Sequence, residues 1–185
     1  MARNKPYRRS RNEQNESSAS VKRFRRSPGN RTLTVKPQYP LDKVYITIFT
    51  EQRVCAPDGS ATYEPIPHRL AATHVDMFDA LRVRLSEGNS SLKSFGDRYG
   101  LSPSDVNGLV LALTGMEAST FRIAWLMKRA DELLRYTNLS ISEVARQSGV
   151  GSTTNLFYAC QRDHHCAPTQ RRADLREAND LGRFR

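Results

Sequence analysis

The sequence predicts a mainly α-helical protein with two tandem helix-turn-helix subdomains joined by a long helix, preceded by a short β-hairpin and a disordered basic N-terminal arm. Three observations indicate this fold: apolar residues recur at helical spacing from about His74 to Arg176, a segment of this region repeats at an offset of 49 residues, and the first forty residues are rich in Arg, Asn and Ser. We therefore divide the chain of 185 residues into an arm, a hairpin segment, a helical domain and a tail, at 1–40, 41–73, 74–176 and 177–185.

The N-terminal arm carries most of the net positive charge. Residues 1–40 contain eleven Lys and Arg side chains against Glu13 and Glu16, a net charge of +9, and the whole chain has +10. Because these residues include few apolar side chains, they cannot bury enough surface to offset chain entropy, and we expect disorder. A basic arm attracts polyanions through counterion release, without sequence preference. We expect DNA as its target, with RNA, acidic proteins or simple solubilisation as the alternatives.

The segment 41–73 contains the signals of one β-hairpin. Val44–Thr50 is a run of β-branched and aromatic residues that predicts a strand, Pro57-Asp58-Gly59 predicts a turn, and Thr62–Ile66 predicts a weaker second strand. A lone hairpin is marginal in water. We therefore expect it to pack on the helical body or to pair with another chain.

The internal repeat predicts the start of two similar helical units. The matched residues are Ser91, Leu92, Phe95, Gly96 and Gly100 in the first copy and Ser140, Ile141, Val144, Ala145 and Gly149 in the second. Each Ser is placed to cap a helix, the two apolar residues face the core, the small residue allows a second helix to approach, and the last Gly ends the helix with a positive φ. Glu143 completes a capping box with Ser140.

A turn and a recognition helix follow each copy, which gives two units at about 91–115 and 140–168. Ser102 with Pro103 begins the first recognition helix, and Ser152 begins the second. Ser119–Tyr136 lies between the units and predicts a helix of 18 residues, which is about 27 Å long. A connector of that length places two recognition helices about one turn of B-DNA apart, near ~34 Å, so that both reach one duplex from one side.

The most specific pattern of the chain is Arg129-Ala130, Leu133-Leu134, Leu139 to Ala145, Gly149-Val150, Leu156, Ala167-Pro168 and Arg172. It resembles the signature of the AraC/XylS transcription regulators, and the earlier Gly100–Pro103 and Thr114–Met116 resemble the first unit of that family. The resemblance covers about residues 75–175. It implies a bacterial, all-helical domain with two helix-turn-helix subdomains that binds DNA as a transcription activator or repressor.

Several positions depart from the family's pattern. Gly108, Leu111 and Ala112 stand where the resemblance would place basic residues on the first recognition helix, so we expect this unit to bind DNA weakly. An alternative is that Leu111 and Ala112 form a patch for RNA polymerase or for another copy of this chain. The remaining departures are Leu126 for an Arg on the connector, Tyr158 and Gln161 for commonly basic residues, His165 for Gly, and Cys160 for a core aromatic.

The candidate DNA contacts are polar side chains on the predicted outward faces of the two units. In the second unit Thr153, Thr154, Asn155 and Tyr158 are expected to face the groove, and Arg162 and Arg172 to contact phosphates. Ser152, Gln161 and Arg171 are further candidate DNA contacts of this unit. In the first unit the exposed candidates are Lys93, Ser104 and Asn107, whereas Asp105 is expected to close the cap on Ser102. The alternative for all of them is ordinary solvated helix surface.

Other site chemistries are not favoured. Cys160, His164, His165 and Cys166 lack the paired spacing of a zinc site, so we expect no metal. The sequence has no glycine-rich phosphate loop, no nucleophile elbow and no carboxylate pair near a histidine, so we expect neither an enzyme nor a cofactor. Three cysteines without a framework and the absence of a long apolar run lead us to expect a cytoplasmic protein that does not enter a membrane.

These observations leave three hypotheses. The first is a sequence-specific transcription regulator that needs no small-molecule effector, because about 35 residues before the helical domain are too few for the family's β-barrel sensing domain. The second is an architectural or accessory DNA-binding factor, for example of a mobile element, and the third is a protein-interaction adaptor on the same scaffold. The oligomeric state stays open, although two units in one chain make a monomer sufficient.

Overall fold

The computed structural model describes residues 36–66, 72–177 and 180–185, so the predicted disordered arm lies, up to residue 35, outside the described residues. The elements are α1 (Leu41–Val44), β1 (Glu51–Cys55), β2 (Ala61–Pro65), α2 (Asp76–Ser86), α3 (Leu92–Tyr99), α4 (Pro103–Thr114), α5 (Ala118–Tyr136), α6 (Ile141–Ser148), α7 (Thr153–His164) and α8 (Pro168–Arg176). The mainly α-helical fold and the long connector are therefore confirmed. None of the described helices is by itself long and apolar enough to cross a bilayer, although α4 and α5 together, bent by 64°, meet that length and composition.

Two apolar cores lie along α5. The first gathers side chains of α2, α3 and α4 around the first half of α5, and the second gathers α6 and α7 around its second half. Trp125 is fully buried in the first core, where its ring lies 4.9 Å from that of Tyr45 and 5.9 Å from that of Phe121. Because one continuous helix contributes to both cores, the two helix-turn-helix units are parts of one packed body.

The predicted strand over Val44–Thr50 is wrong. Val44 ends the short helix α1, and the chain runs on without a strand partner until β1 begins at Glu51. Val44 and Ile46 are instead buried in the first core, and the carbonyl of Val44 accepts a hydrogen bond from Arg82 Nε at 2.8 Å. Packing against the helices removes more apolar area of this run from water than pairing in a separate two-stranded sheet would.

The packed part of the chain also begins before the predicted end of the arm at residue 40. The backbone N–H groups of Gln38 and Tyr39 donate to the carbonyl of Leu113, at 3.0 and 2.9 Å. The Tyr39 hydroxyl donates to the carbonyl of Thr73 at 2.9 Å, and its ring lies 6.4 Å from that of Phe78. Tyr39 packs against the first core, so the packed part of the chain includes Gln38 and Tyr39.

The hairpin forms at the predicted turn; β2 is exposed along its whole length, and the hairpin is joined to the helical body through the C-terminal residues. β1 and β2 are antiparallel, and the carboxylate of Asp58 accepts hydrogen bonds from the backbone N–H and the hydroxyl of Ser60 in the turn. The end of the predicted tail adds to the free edge of β1, where Arg185 N donates to Glu51 O at 2.9 Å. Phe184 stacks on Phe49 with ring centroids 5.5 Å apart, and its ring lies 4.7 Å from that of Tyr136 at the end of α5, which attaches the C-terminal residues of this small sheet to the helices.

The stability of this packing is expected to depend on pH through Glu132 of α5. Its half-buried carboxylate accepts hydrogen bonds from the Tyr45 hydroxyl at 2.8 Å and from Ile48 N at 3.4 Å, yet burial outweighs them and raises the pKa of Glu132 above its ordinary value of 4.5. A raised carboxyl pKa means that the folded protein binds the proton more tightly than the unfolded chain. The contribution of Glu132 to the free energy of unfolding is therefore greatest below about pH 4.5 and falls as pH rises through the folded pKa.

Glu132→Gln removes this titration and keeps an oxygen for both donors. Denaturant unfolding between pH 4.5 and 7 is expected to show that the wild type loses free energy of unfolding relative to the variant as pH rises. Tyr45→Phe removes a hydrogen bond to the carboxylate and should steepen the loss. If the free energies of unfolding of the wild type and Glu132→Gln differ by the same amount at every pH, a raised pKa of Glu132 in the folded protein is contradicted.

Candidate nucleic-acid interface

The second helix-turn-helix unit is formed by local hydrogen bonds that the sequence predicts. Ser140 Oγ accepts from Glu143 N at 3.2 Å, and the Glu143 carboxylate accepts from Ser140 N at 2.8 Å, which is the expected capping box at the start of α6. Gly149 ends α6 with φ +86°. After a short turn, Ser152 Oγ accepts from Asn155 N at 3.1 Å and begins α7. Because the caps satisfy the first N–H groups, both helices have defined starts.

Helix α7 has one buried and one exposed side. Leu156 and Cys160 are fully buried in the second core together with Val144 and Ala145 of α6. The candidate residues of the cap and of this helix are all exposed: Ser152, Thr153, Thr154, Asn155, Tyr158, Gln161 and Arg162. Tyr158 is the most exposed of the large hydrophobic side chains among the described residues, with 68% of its surface exposed. A polar surface with one aromatic ring is thus available at α7, and its contact with DNA stays a prediction.

Two features of α7 were not predicted from the sequence. The Asn155 side chain turns back toward the preceding turn, where its Nδ2 donates to the carbonyl of Val150 at 3.4 Å. Phe157 is 41% exposed, and its ring lies 5.9 Å from that of Tyr158. The signal for Phe157 was present in the helical period, because a residue one step after Leu156 lies at the border of the buried stripe.

The three candidate arginines already have partners within the protein. Arg162, whose side chain is 54% exposed, bonds to the Asp163 carboxylate through Nε and Nη2 at 2.6 and 2.7 Å. Arg171 is half-buried and bonds to Asp131 of α5 at 3.1 and 2.6 Å. Arg172 is also half-buried, and its Nη2 donates to the carbonyl of Leu139 at 2.5 Å. Arg171 and Arg172 therefore attach α8 to the connector and to the turn before α6, and their contact with phosphates stays a prediction.

The first unit repeats this local architecture. Ser102 and Asp105 form a capping box at the start of α4, with Ser102 N donating to the Asp105 carboxylate at 2.9 Å, as expected. Lys93 and Ser104 are exposed. The prediction that Asn107 is exposed is wrong: the residue is half-buried, and its Oδ1 accepts from the backbone N–H of Ala118 at 2.9 Å.

The role of Asn107 follows from the start of α5. The N-cap residue of this helix, Glu117, makes no capping hydrogen bond with its side chain. The first N–H groups of a helix need an acceptor, and Asn107 provides one from the preceding helix. The amide thereby ties α4 to the connector.

Neither recognition helix carries a net positive charge. In α4 the only charged residue is Asp105, and its outward face contains exposed Gly108 and Ala112 with half-buried Leu111. In α7 the guanidinium of Arg162 is matched by Asp163. The largest group of positive charges in the sequence therefore lies outside these two helices, in the basic arm.

The cysteine and histidine cluster at the end of α7 is not arranged as a metal site. Burial raises the pKa of the Cys160 thiol to about 11, which keeps it protonated near neutral pH. His165 ends α7 in the left-handed conformation with φ +56°, and His164 Nε2 lies 3.7 Å from Asp131. Over the ranges that the structure describes, no group of three or more His, Cys, Asp or Glu residues is placed to hold a metal ion.

Comparisons with known proteins match the helical domain. Residues 95–174 match the sequence profile of a family described as helix-turn-helix domain. No curated protein sequence matches the chain significantly. Three solved structures match it with high probability, each over slightly more than half of the chain.

One of these structures is the DNA-binding domain of AdpA, described as the global transcriptional factor, in complex with a target DNA. It is 21% identical with a TM-score of 0.51, and the match covers 57% of this chain and 97% of that domain. The C-terminal domain of AraT, a response regulator from Geobacillus stearothermophilus, is 20% identical with a TM-score of 0.50, covering 56% and 88%. The xylose-binding transcription activator XylR is 19% identical with a TM-score of 0.46, covering 56% of this chain and 28% of XylR. The AdpA and AraT likenesses show a shared fold.

Proposed function

We propose that the protein is a sequence-specific transcription regulator of the AraC/XylS type that reads two neighbouring segments of one DNA duplex, because residues 95–174 match a helix-turn-helix family and share the fold of the AdpA and AraT domains. In this proposal α7 enters a major groove and contributes most of the base contacts. Helix α4 approaches the next groove segment and contributes fewer contacts. The basic arm supplies affinity for the phosphates, and no small-molecule effector is needed for binding.

The observation that carries this proposal is the exposed polar side of α7. Its hydroxyl and amide groups suit base edges, and the opposite side of the helix is fixed in the second core by Leu156 and Cys160. A recognition helix must be rigid to read bases, and the caps at Ser140 and Ser152 together with this core provide the rigidity. The connector α5 has 19 residues and is about 28 Å long, which suits two segments of one duplex about one turn apart.

The direct test is selection of bound fragments from random duplex DNA with the purified chain and no added ligand. The proposal expects enrichment of one motif and binding that survives about 0.2 M salt. Enrichment of a motif only when a metabolite is added would contradict the part of the proposal that concerns effectors. Binding without enrichment would contradict sequence-specific reading.

Two substitutions on α7 are expected to separate base reading from phosphate contact. Asn155→Ala should relax the preference at one position of the selected motif, since an amide can bond to a base edge, with a loss of about 1–3 kcal/mol on the preferred sequence. Arg162→Ala should weaken binding to all sequences by similar factors, because a phosphate contact carries no sequence information. Titration of both variants against the selected motif and its single-base changes measures this. The reverse pattern would mean that the two residues have exchanged roles.

A second candidate function is an accessory DNA factor that bends or coats DNA with little base reading. It is favoured by the lack of net positive charge on both recognition helices, which leaves the arm as the main source of affinity. It predicts a steep loss of binding with salt and no sequence preference. A third outcome would support an interaction adaptor instead. In that outcome the wild-type chain selects no motif, and the variant with a neutralised arm does not bind DNA.

A further inference from the structure

We infer that Leu126 of the connector is a positioning residue: it seats the turn of the second unit and thereby sets the base-pair spacing between the two DNA segments that the chain reads. This inference rests on the proposed function and concerns how the two units are held relative to each other. Leu126 stands at a position where the resemblance to AraC/XylS regulators would place an Arg. The apolar side chain of Leu126 is buried, and its packing carries the inference.

Leu126 lies where the two cores meet. It is buried, with 4% of its surface exposed, and belongs to the first core, whereas its neighbour Met127 belongs to the second. Val150, in the turn between α6 and α7, packs against both cores. Together with Ile123, these side chains also line a groove of about 580 Å³ between α5 and α7. The turn of the second unit is thus in apolar contact with the middle of the connector.

Gly149, at the end of α6, leaves little room for a side chain beside Leu126. A Cβ atom on Gly149 would lie 3.1 Å from Leu126 Cδ2, which is tighter than ordinary van der Waals contact. The equivalent residue of the first unit is Gly100, which also ends its helix with a positive φ, +66° against +86°. A Cβ on Gly100 would meet no atom within 4 Å. The two glycines therefore share a backbone role, and only Gly149 rests on the connector.

A displacement at this contact would be passed on to the recognition helix. Gly151 N donates to Ala145 O at 2.9 Å, which holds the turn to α6, and Ser152 caps α7 directly after it. Helices α6 and α7 consequently move with the turn as a unit, because packed cores deform little. One base pair corresponds to about 3.4 Å along the duplex, so a displacement of α7 along the DNA changes which spacing between the two segments is bound best.

The test compares Gly149→Ala with Gly100→Ala in the full-length chain. Both introduce a Cβ at a left-handed position and share its local backbone strain. Only Gly149→Ala presses on Leu126. The DNA probes are the selected motif and versions in which the spacing between its two segments is changed by one base pair in either direction. The measured quantity is the ratio of the dissociation constants for changed and original spacing.

We expect Gly149→Ala to alter this ratio by about fivefold or more and Gly100→Ala to leave it within about twofold. Adding Leu126→Ala to Gly149→Ala removes the side chain that the new Cβ meets, so the double variant should show the same ratio, within about twofold, as Leu126→Ala alone, in which the ratio moves toward one. Fluorescence of Trp125, the only tryptophan of the chain, verifies that each variant is folded at the binding temperature. Should Gly149→Ala not fold, Leu126→Val alone, which loosens the same contact, is expected to move the ratio toward one.

An unchanged ratio in folded Gly149→Ala, or an equal change in Gly100→Ala, overturns the inference. So does an unchanged ratio in Leu126→Val where Gly149→Ala does not fold. The proposed function fails differently: the wild-type chain would then select no motif, or a motif with a single segment. The two failures are therefore distinguishable in one series of measurements.

Discussion

Neutralising the basic arm is expected to lower the affinity of the chain for DNA by about 10²- to 10³-fold at ~0.1 M salt, equally for selected and unrelated sequences. The residues to replace with Ser or Gln are Arg8, Arg9, Arg11, Lys22, Arg23, Arg25 and Arg26. The physical reason is the charge distribution: residues 1–40 hold a net charge of +9, and neither recognition helix carries a net positive charge. Each lost phosphate contact releases about 0.9 fewer counterions, so the slope of log affinity against log salt should fall by roughly four to six.

The control for the arm is removal of positive charge from the folded part of the chain. Arg53, Arg183 and Arg185 are exposed at the small sheet. Replacing these three arginines should change the affinity by less than about threefold, since the proposal gives them no phosphate contact. If each charge removed from the arm and from the sheet lowers the affinity equally, the affinity depends on the net charge of the protein and not on the position of the charges. An unchanged slope after neutralising the arm would mean that the helical domain supplies the phosphate contacts itself.

Trp125→Ala is expected to lower the free energy of unfolding by about 3–5 kcal/mol. Trp125 is fully buried between the rings of Tyr45 and Phe121, so truncation leaves a cavity at the centre of the first core and removes two ring contacts. A domain of this size has only about 5–15 kcal/mol in total, so the variant should lie close to its unfolding threshold. Circular dichroism is the measurement, because the variant lacks the only tryptophan.

Two comparisons make this result specific. Trp125→Phe keeps a ring in the core and removes an indole N–H that has no acceptor among the described residues, so we expect a loss of about 1–2 kcal/mol. Tyr158→Ala changes a side chain that is 68% exposed, and its free energy of unfolding should stay within about 0.5 kcal/mol of the wild type. A loss of less than about 1 kcal/mol in Trp125→Ala would mean that the first core does not hold the fold together.

The candidate interface could be predicted in part. The exposed side of α7 followed from the sequence, because Leu156 and Cys160 recur at helical spacing and define the side that must be buried. The hydrogen-bond partners of the polar side chains could not be predicted from the sequence. Asn107 was predicted to be exposed, yet it caps α5, and Arg171 bonds to Asp131, a residue 40 positions away. Helical spacing states which side of one helix is apolar, but it does not state which neighbouring helix supplies a donor or an acceptor.

The sequence by itself determined the features that depend on residues a few positions apart. The serines at 91, 102, 140 and 152 cap their helices, and glycines at 100, 115 and 149 end them, because each such hydrogen bond or positive φ is local. Only the tertiary structure decided that Val44 and Ile46 join a helical core instead of a strand, and that Leu126 meets the turn at Gly149. These outcomes depend on surfaces brought together from distant parts of the chain, where the apolar area buried outweighs the local preference of a segment.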